Sequence, residues 1–194
     1  MTDILLIGDA TETMRARMAA QFTIHELADM ADPLDWLKAH GANIRYVATN
    51  GHDGIKSEYV EALPNLKVIS CYGVGYDAID TAQAVSRGIW VTHTPNVLNA
   101  EVATTALMLM LACYRNLLAD DAYVRSGKWQ ADGNAPLTRT ADNRTVGIVG
   151  LGRIGQAIAD KLAPFNAKIL YHARNEKPVK YTYYSDLAAM ARDS

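Results

Sequence analysis

The ten residues from Val146 to Gly155 constrain the fold of this chain more than any other stretch. They read as an apolar strand, a glycine turn and the start of a helix. Gly150, Gly152 and Gly155 fit the pattern G-x-G-x-x-G, whose glycines permit a tight turn, close approach to a pyrophosphate and close helix–strand packing, respectively. The N–H groups that begin such a helix favour phosphate. We therefore predict a dinucleotide site; the alternative is a glycine-rich turn that binds nothing.

Composition and charge set outer limits on the function. The 194 residues are 49% hydrophobic and 21% charged, and their formal net charge is −2 without a basic block, so we expect neither a nucleic-acid partner nor a membrane surface. The most apolar run, residues 102–114, is too short and too often broken by threonine to span a bilayer.

Cys71 and Cys113 show no pairing pattern, and we expect both to be buried and reduced in a cytoplasmic protein without a metal site.

Strand and helix signals alternate along the first half of the chain. Five apolar runs of strand length are separated by helical patterns, at residues 3–7, 22–26, 46–49, 67–71 and 89–91. Such repeated units predict a parallel, doubly wound sheet. Residues 100–115 form a helix that is apolar nearly all round, which we expect to be buried on most sides and to link two domains or contact another subunit.

The fold class that these patterns predict is α/β, with two Rossmann-like domains built on doubly wound parallel sheets. We place the first domain at residues 1–98 and the second at residues 99–194. Only about two strands are predicted after residue 98, so we expect the second domain to be incomplete in this chain.

The end of the strand after the glycine turn predicts the kind of dinucleotide. In NAD-binding units an acidic residue at this place accepts hydrogen bonds from the ribose 2′-OH. Ala173 occupies it here, and Arg174 follows, which can hold a 2′-phosphate through two parallel hydrogen bonds. Asn175 adds a neutral donor and Lys177 more positive potential, whereas Glu176 would have to point away. We therefore predict NADP rather than NAD; the alternative makes Arg174 a solvated loop charge.

Gly73-Val74-Gly75 is a second informative turn, because it also follows a buried strand. Consecutive backbone N–H groups in such a turn form a nest that suits a carboxylate. The three-residue pattern by itself favours an ordinary loop, and a carboxylate site is the alternative.

Taken together, the motifs resemble the D-isomer-specific 2-hydroxyacid dehydrogenases in order and spacing over the whole chain. The matching segments are C-Y-G-V-G-Y-D-A-I-D at 71–80, R-G-I-W-V at 87–91, T-P-N-V-L at 94–98, G-K-W at 127–129 and the glycine turn at 146–155. Residues 173–178 are most similar to those of the NADP-dependent glyoxylate/hydroxypyruvate reductases. Ala78 stands where the family pattern usually has asparagine.

This resemblance implies a hydride transfer from NADPH to a small 2-oxo acid such as glyoxylate or hydroxypyruvate, which gives a D-2-hydroxy acid. It implies that residues 1–98 form a flavodoxin-like substrate domain, in which Val74 and Gly75 hold the carboxylate through backbone N–H groups. It implies a homodimer interface along the helix from Ala100. The residues that it places along the cofactor are Val102, Leu151, Gly152, Arg153 and Ile154, although Arg153 read alone is equally a surface helix residue.

The family's catalytic arginine, glutamate and histidine lie beyond residue 194, so the resemblance predicts that this chain is truncated and has little turnover alone. None of His52, His93 and Glu101 has both a partner and a motif match, so we assign no catalytic residue. Two alternatives remain open. One is a non-catalytic dinucleotide-binding dimeric module, and the other is a related NAD-dependent 2-hydroxyacid or phosphoglycerate dehydrogenase.

Overall fold

The five apolar runs of the first half form five parallel strands in one sheet. The computed structural model describes residues 1–194 and divides into two units, Met1–Val97 and Leu98–Ser194. The first unit contains strands β1 (Thr2–Leu6), β2 (Phe22–Glu26), β3 (Ile44–Asn50), β4 (Val68–Tyr72) and β5 (Trp90–Thr92), with helices α1 (Glu12–Ala19), α2 (Pro33–His40), α3 (Ser57–Glu61) and α4 (Thr81–Ser86).

The strand order of this sheet, β2-β1-β3-β4-β5, is that of a doubly wound fold. Leu5 in β1 and Ile69 in β4 are fully buried, as expected for strands covered on both faces. The order reverses between β1 and β3, and ligands of open parallel sheets bind beside such a reversal, at the carboxyl ends of the strands. The turn that follows β4 therefore lies at the end of the sheet where ligands are expected.

The second unit carries a smaller parallel sheet, of order β6-β7-β8. Its elements are α5 (Asn99–Tyr114), α6 (Leu117–Arg125), α7 (Lys128–Asp132), β6 (Thr145–Val149), α8 (Arg153–Leu162), β7 (Lys168–His172), β8 (Thr182–Tyr184) and α9 (Leu187–Arg192). The α/β class with parallel sheets is thus confirmed, but the estimate of two strands for this unit is wrong. β8 has only three residues, too few to show an alternating pattern in the sequence.

Helix α5 differs from the expectation that it is buried on most sides. One side packs against the core of the second unit through Leu107 and Met110. Only Ala103 is buried, however, and Met108 and Leu109 are 57% and 55% exposed. Cys113 on the same helix is also exposed, so the prediction of burial holds for Cys71 alone. The helix has two apolar faces. The core of the second unit covers one of them, and the other is exposed.

Two further helices, α6 and α7, follow α5. No single helix of the chain is long and apolar enough to cross a bilayer. Only α5 and α6 taken together, with a bend of 56° between them, have the length and composition for it.

Candidate functional site

The glycine turn connects β6 to α8 with the geometry that its motif requires. Gly150 has a φ of +88°, in the left-handed region that favours glycine. A Cβ added to Gly155 would overlap the carbonyl oxygen of Gly150, so only glycine lets α8 lie this close to the turn. A Cβ added to Gly152 would meet no atom within 4 Å. The backbone at the start of α8 is therefore open to a ligand, as a pyrophosphate site needs.

An open groove of about 530 Å³ runs beside this turn. Residues 149–152 line one side, and residues 172–177, at the end of β7 and in the loop after it, line the other. The N–H of Gly150 donates to the carbonyl oxygen of His172 at 2.8 Å, which ties the two sides together. The groove brings together these predicted cofactor residues: Gly150, Leu151, Gly152, Ala173, Arg174 and Asn175.

The other predicted cofactor residues do not line the groove. Arg153 and Ile154 form the first turn of α8, and Gly155 is buried below the glycine turn. Val102 is 41% exposed in the first turn of α5. Leu151 lines the groove only with its backbone, because its side chain is 1% exposed and belongs to the core of the unit.

The charges along the groove favour an anion. The guanidinium of Arg174 is exposed and forms no hydrogen bond or ion pair with the protein. Lys177 adds a second cation, and Glu176 is the one carboxylate in the lining. The expectation that the Glu176 side chain points away from the site stays a prediction. The two cations outnumber this carboxylate, so the groove keeps a positive excess next to Ala173, where an NAD-binding unit has its acid.

Two tyrosine hydroxyls fasten the loop that carries Arg174. The N–H of Lys177 donates to Oη of Tyr171 at 2.8 Å, and the same hydroxyl donates to the carbonyl oxygen of Lys177 at 3.3 Å. Oη of Tyr183 donates to the carbonyl oxygen of Ala173 at 3.2 Å. Sequence analysis did not identify either tyrosine, because each bond joins residues six or more positions apart.

In the first unit, the turn after β4 is held by all three of its carbonyl oxygens. The N–H of Thr94 donates to the oxygen of Gly73 at 2.8 Å. Nδ1 of His93 donates to the oxygen of Val74 at 2.9 Å, which requires the proton on that nitrogen. The thiol of Cys71 donates to the oxygen of Gly75 at 3.4 Å. Burial raises the pKa of this thiol above its ordinary value, so it keeps the proton that it donates.

The same bonds fix the direction of the two predicted carboxylate donors. In a trans peptide the N–H points opposite to the preceding carbonyl. Since the oxygens of Gly73 and Val74 are bound to Thr94 and His93, the N–H groups of Val74 and Gly75 point to the other side of the turn. Neither N–H donates to any group of the protein.

The glycines of this turn do not create a left-handed nest. Neither Gly73 nor Gly75 has a positive φ, so the alternating conformation of a strict anion nest is not formed. What the turn provides is two adjacent free N–H groups with fixed directions.

Comparisons with known proteins identify the family. The model of the NAD binding domain of D-isomer specific 2-hydroxyacid dehydrogenases matches residues 107–194. A 2-ketogluconate reductase from Gluconobacter oxydans (strain 621H) is 39% identical over 190 residues, which cover 97% of this chain and 60% of that protein.

Solved structures agree with this match. A 2-hydroxyacid dehydrogenase from Ketogulonicigenium vulgare Y25 is 40% identical with a TM-score of 0.92, over 99% of this chain and 61% of that one. An NADPH-dependent glyoxylate/hydroxypyruvate reductase from Sinorhizobium meliloti is 35% identical with a TM-score of 0.90, over 100% of this chain and 61% of that one. The chain thus spans about 60% of the length of these relatives. It belongs to the D-isomer-specific 2-hydroxyacid dehydrogenase family.

Proposed function

We propose that this chain is the substrate domain and the first part of the cofactor domain of an NADPH-dependent reductase of small 2-oxo acids. The proposed boundary between these domains is at residues 98 and 99. Bound NADPH supplies the hydride, which reduces the 2-oxo carbon to a D-2-hydroxy acid. The residues of this chain bind the dinucleotide and the carboxylate of the acid. We assign none of them to proton transfer.

One observation carries the cofactor part of the proposal. Arg174 has no protein partner and lines the groove directly after Ala173, at the position that decides between a 2′-OH and a 2′-phosphate. A guanidinium binds phosphate through two hydrogen bonds in a plane. The relative from Sinorhizobium meliloti is described as NADPH-dependent, which supports the same preference.

Glu176 favours a second candidate, an NAD-dependent dehydrogenase. This residue lines the same groove, and a carboxylate accepts hydrogen bonds from ribose hydroxyls. We rank this candidate lower because Arg174 and Lys177 outnumber the one carboxylate, and because Glu176 stands three positions beyond the usual place of the acid.

The substrate part of the proposal rests on the turn after β4. The free N–H groups of Val74 and Gly75 suit the carboxylate that every 2-oxo acid carries, whatever the rest of its chain. Relatives described as reductases of glyoxylate, hydroxypyruvate and 2-ketogluconate fit this requirement. We propose glyoxylate or hydroxypyruvate as the substrate, with 2-ketogluconate as the larger candidate to be compared.

We further propose that the protein is a homodimer through α5 and α6. Apolar side chains line an exposed hollow along these helices, among them Met108, Leu111 and Leu117. Leu118 is 84% exposed beside them. A second copy of the same helices would cover this surface, as expected for apolar patches on a protein that associates with itself.

Initial rates with the full-length enzyme test the proposal. Glyoxylate, hydroxypyruvate and 2-ketogluconate are each supplied with NADPH or NADH, and the loss of reduced cofactor is followed by absorbance. We expect reduction of one of the first two acids, with NADPH favoured. Arg174→Ala should lower kcat/KM for NADPH by roughly tenfold or more, since hydrogen bonds to charged groups contribute about 1.5–3 kcal/mol.

Lys180→Ala is the matched control for the variant at Arg174. It removes a cation from the same β7–β8 connection without touching the groove, because Lys180 lies over the ring of Tyr181 instead. An equal loss in both variants would contradict the assignment of Arg174. NADPH binding without reduction of any of the three acids would favour the non-catalytic module.

A further inference from the structure

The loop from Ala173 to Lys177 is fixed at both ends by tyrosine hydroxyls. Tyr171 is 0% exposed, and its hydroxyl uses both of its hydrogen-bonding capacities on the backbone of a single residue, Lys177. Tyr183 holds the carbonyl oxygen of Ala173 at the other end. The two rings lie 5.4 Å apart between their centroids. Residues 174–176 are therefore a three-residue span between two fixed points.

The hydroxyls are not needed for packing, because phenylalanine would fill the same space. A buried hydroxyl costs free energy unless it is hydrogen-bonded. In Tyr171 that cost is met only because the backbone of Lys177 returns to it after six residues. The ring of Tyr171 can therefore be buried without loss of free energy only while the loop stays in this position. A phenylalanine at the same place would not restrict the loop in this way.

Two of the three exposed residues of the span, Arg174 and Asn175, carry hydrogen-bond donors suited to a phosphate, whereas Glu176 carries a carboxylate. Arg174, Asn175 and Glu176 are exposed, and they line the groove. An exposed arginine loses side-chain freedom when it binds, and a flexible loop would lose backbone freedom as well. Holding the backbone in place beforehand removes the second loss and so raises affinity.

We propose that Tyr171 and Tyr183 are positioning residues for the 2′-phosphate of the cofactor, acting through the backbone of Ala173 and Lys177. This inference rests on the proposed preference for NADPH. It predicts that the hydroxyls affect ligands that carry the 2′-phosphate and have little effect on ligands that lack it.

Binding of 2′,5′-ADP and of 5′-ADP to the full-length protein tests this, by calorimetry on wild type, Tyr171→Phe and Tyr183→Phe. The expected result is a roughly fivefold to tenfold rise in Kd for 2′,5′-ADP in either variant, the size of one lost hydrogen bond. The Kd for 5′-ADP should stay within about twofold, because that ligand lacks the 2′-phosphate that the span is proposed to hold.

Amide hydrogen exchange of the free protein provides a second measurement that does not depend on any ligand. Both variants should exchange faster within residues 174–179, while β7 keeps its protection. Tyr123→Phe is the matched control. It removes a hydroxyl that donates to the carbonyl oxygen of Gly133 at 3.1 Å, in the same unit but outside the groove. It should change neither the exchange of residues 174–179 nor either Kd.

The outcomes separate this inference from the proposed function. If wild type binds 5′-ADP as tightly as 2′,5′-ADP, the preference for NADPH is wrong. If wild type discriminates between them and the two tyrosine variants discriminate equally well, the preference stands and the positioning role is overturned. Equal weakening of both ligands would likewise overturn it, since a general loss of structure affects both.

Discussion

His93 holds the carbonyl oxygen of Val74 with its Nδ1 at a distance of 2.9 Å. The ring of Tyr76 meets the same imidazole edge-on, with the ring centroids 4.8 Å apart. Through the rigid peptide plane, this bond sets the direction of the N–H of Gly75, which is one of the two proposed carboxylate donors. His93, to which we assign no catalytic role, thus has a defined structural one.

His93→Ala should therefore weaken binding of the 2-oxo acid more than it slows turnover. Loss of one hydrogen bond of about 1 kcal/mol predicts a rise in KM of roughly fivefold. His40→Ala is the matched control, because Nδ1 of His40 bonds to the carbonyl oxygen of Trp36 at 3.0 Å, within α2. Steady-state kinetics on the full-length enzyme measure the effect. An unchanged KM in His93→Ala would contradict the role of the turn.

The glycine turn predicts opposite outcomes for two substitutions that are three residues apart. Gly155→Ala should destabilise the protein by about 1–3 kcal/mol, because its Cβ overlaps the carbonyl oxygen of Gly150. Gly152→Ala meets no atom within 4 Å, so it should alter the free energy of unfolding by less than about 0.5 kcal/mol and yet weaken NADPH binding. Urea denaturation and cofactor titration separate the two effects. Equal destabilisation by both would contradict this geometry.

The buried thiol of Cys71 predicts a loss of stability at alkaline pH. Its pKa is raised by burial from the ordinary value of 9.0, so the unfolded chain releases the proton at a lower pH than the folded protein does. The free energy of unfolding should therefore fall above about pH 9, with a slope of up to about 1.4 kcal/mol per pH unit from this group.

Urea denaturation between pH 8 and pH 10 measures that slope. Cys71→Ala should remove this contribution, whereas Cys113→Ala should keep it because Cys113 is exposed. Identical slopes in wild type and Cys71→Ala would show that the thiol does not contribute.

The exposed face of α5 predicts a charge-sensitive association. Met108→Asp places a carboxylate where an apolar contact with a second copy is proposed, and should raise the dimer dissociation constant by roughly tenfold or more. Leu137→Asp is the control, since Leu137 is 101% exposed but lies in the loop before β6. Sedimentation velocity of the full-length protein distinguishes the species. A monomeric wild type would contradict the proposal directly.

The features that sequence analysis predicted correctly are encoded within a few adjacent residues. The requirements for Gly150 and Gly155, and the placement of Ala173 and Arg174 beside the glycine turn, follow from one strand–turn–helix motif and the strand after it. Parallel sheets likewise follow from alternating strand and helix signals.

The features that were missed depend on residues far apart in the chain. The bond from His93 to Val74 spans 19 positions, and the one from Tyr183 to Ala173 spans 10. Neither has a local pattern. The exposure of α5 was missed for another reason. An apolar helix predicts burial, but the sequence does not say whether the covering surface belongs to the same chain.

The most direct test of the central claim is a fluorescence titration of the full-length protein with NADPH and with NADH. A guanidinium at the 2′-phosphate predicts a Kd for NADPH that is at least about tenfold lower than that for NADH. Arg174→Ala should reduce that difference while leaving NADH binding nearly unchanged. Equal or tighter binding of NADH by wild type would contradict the claim.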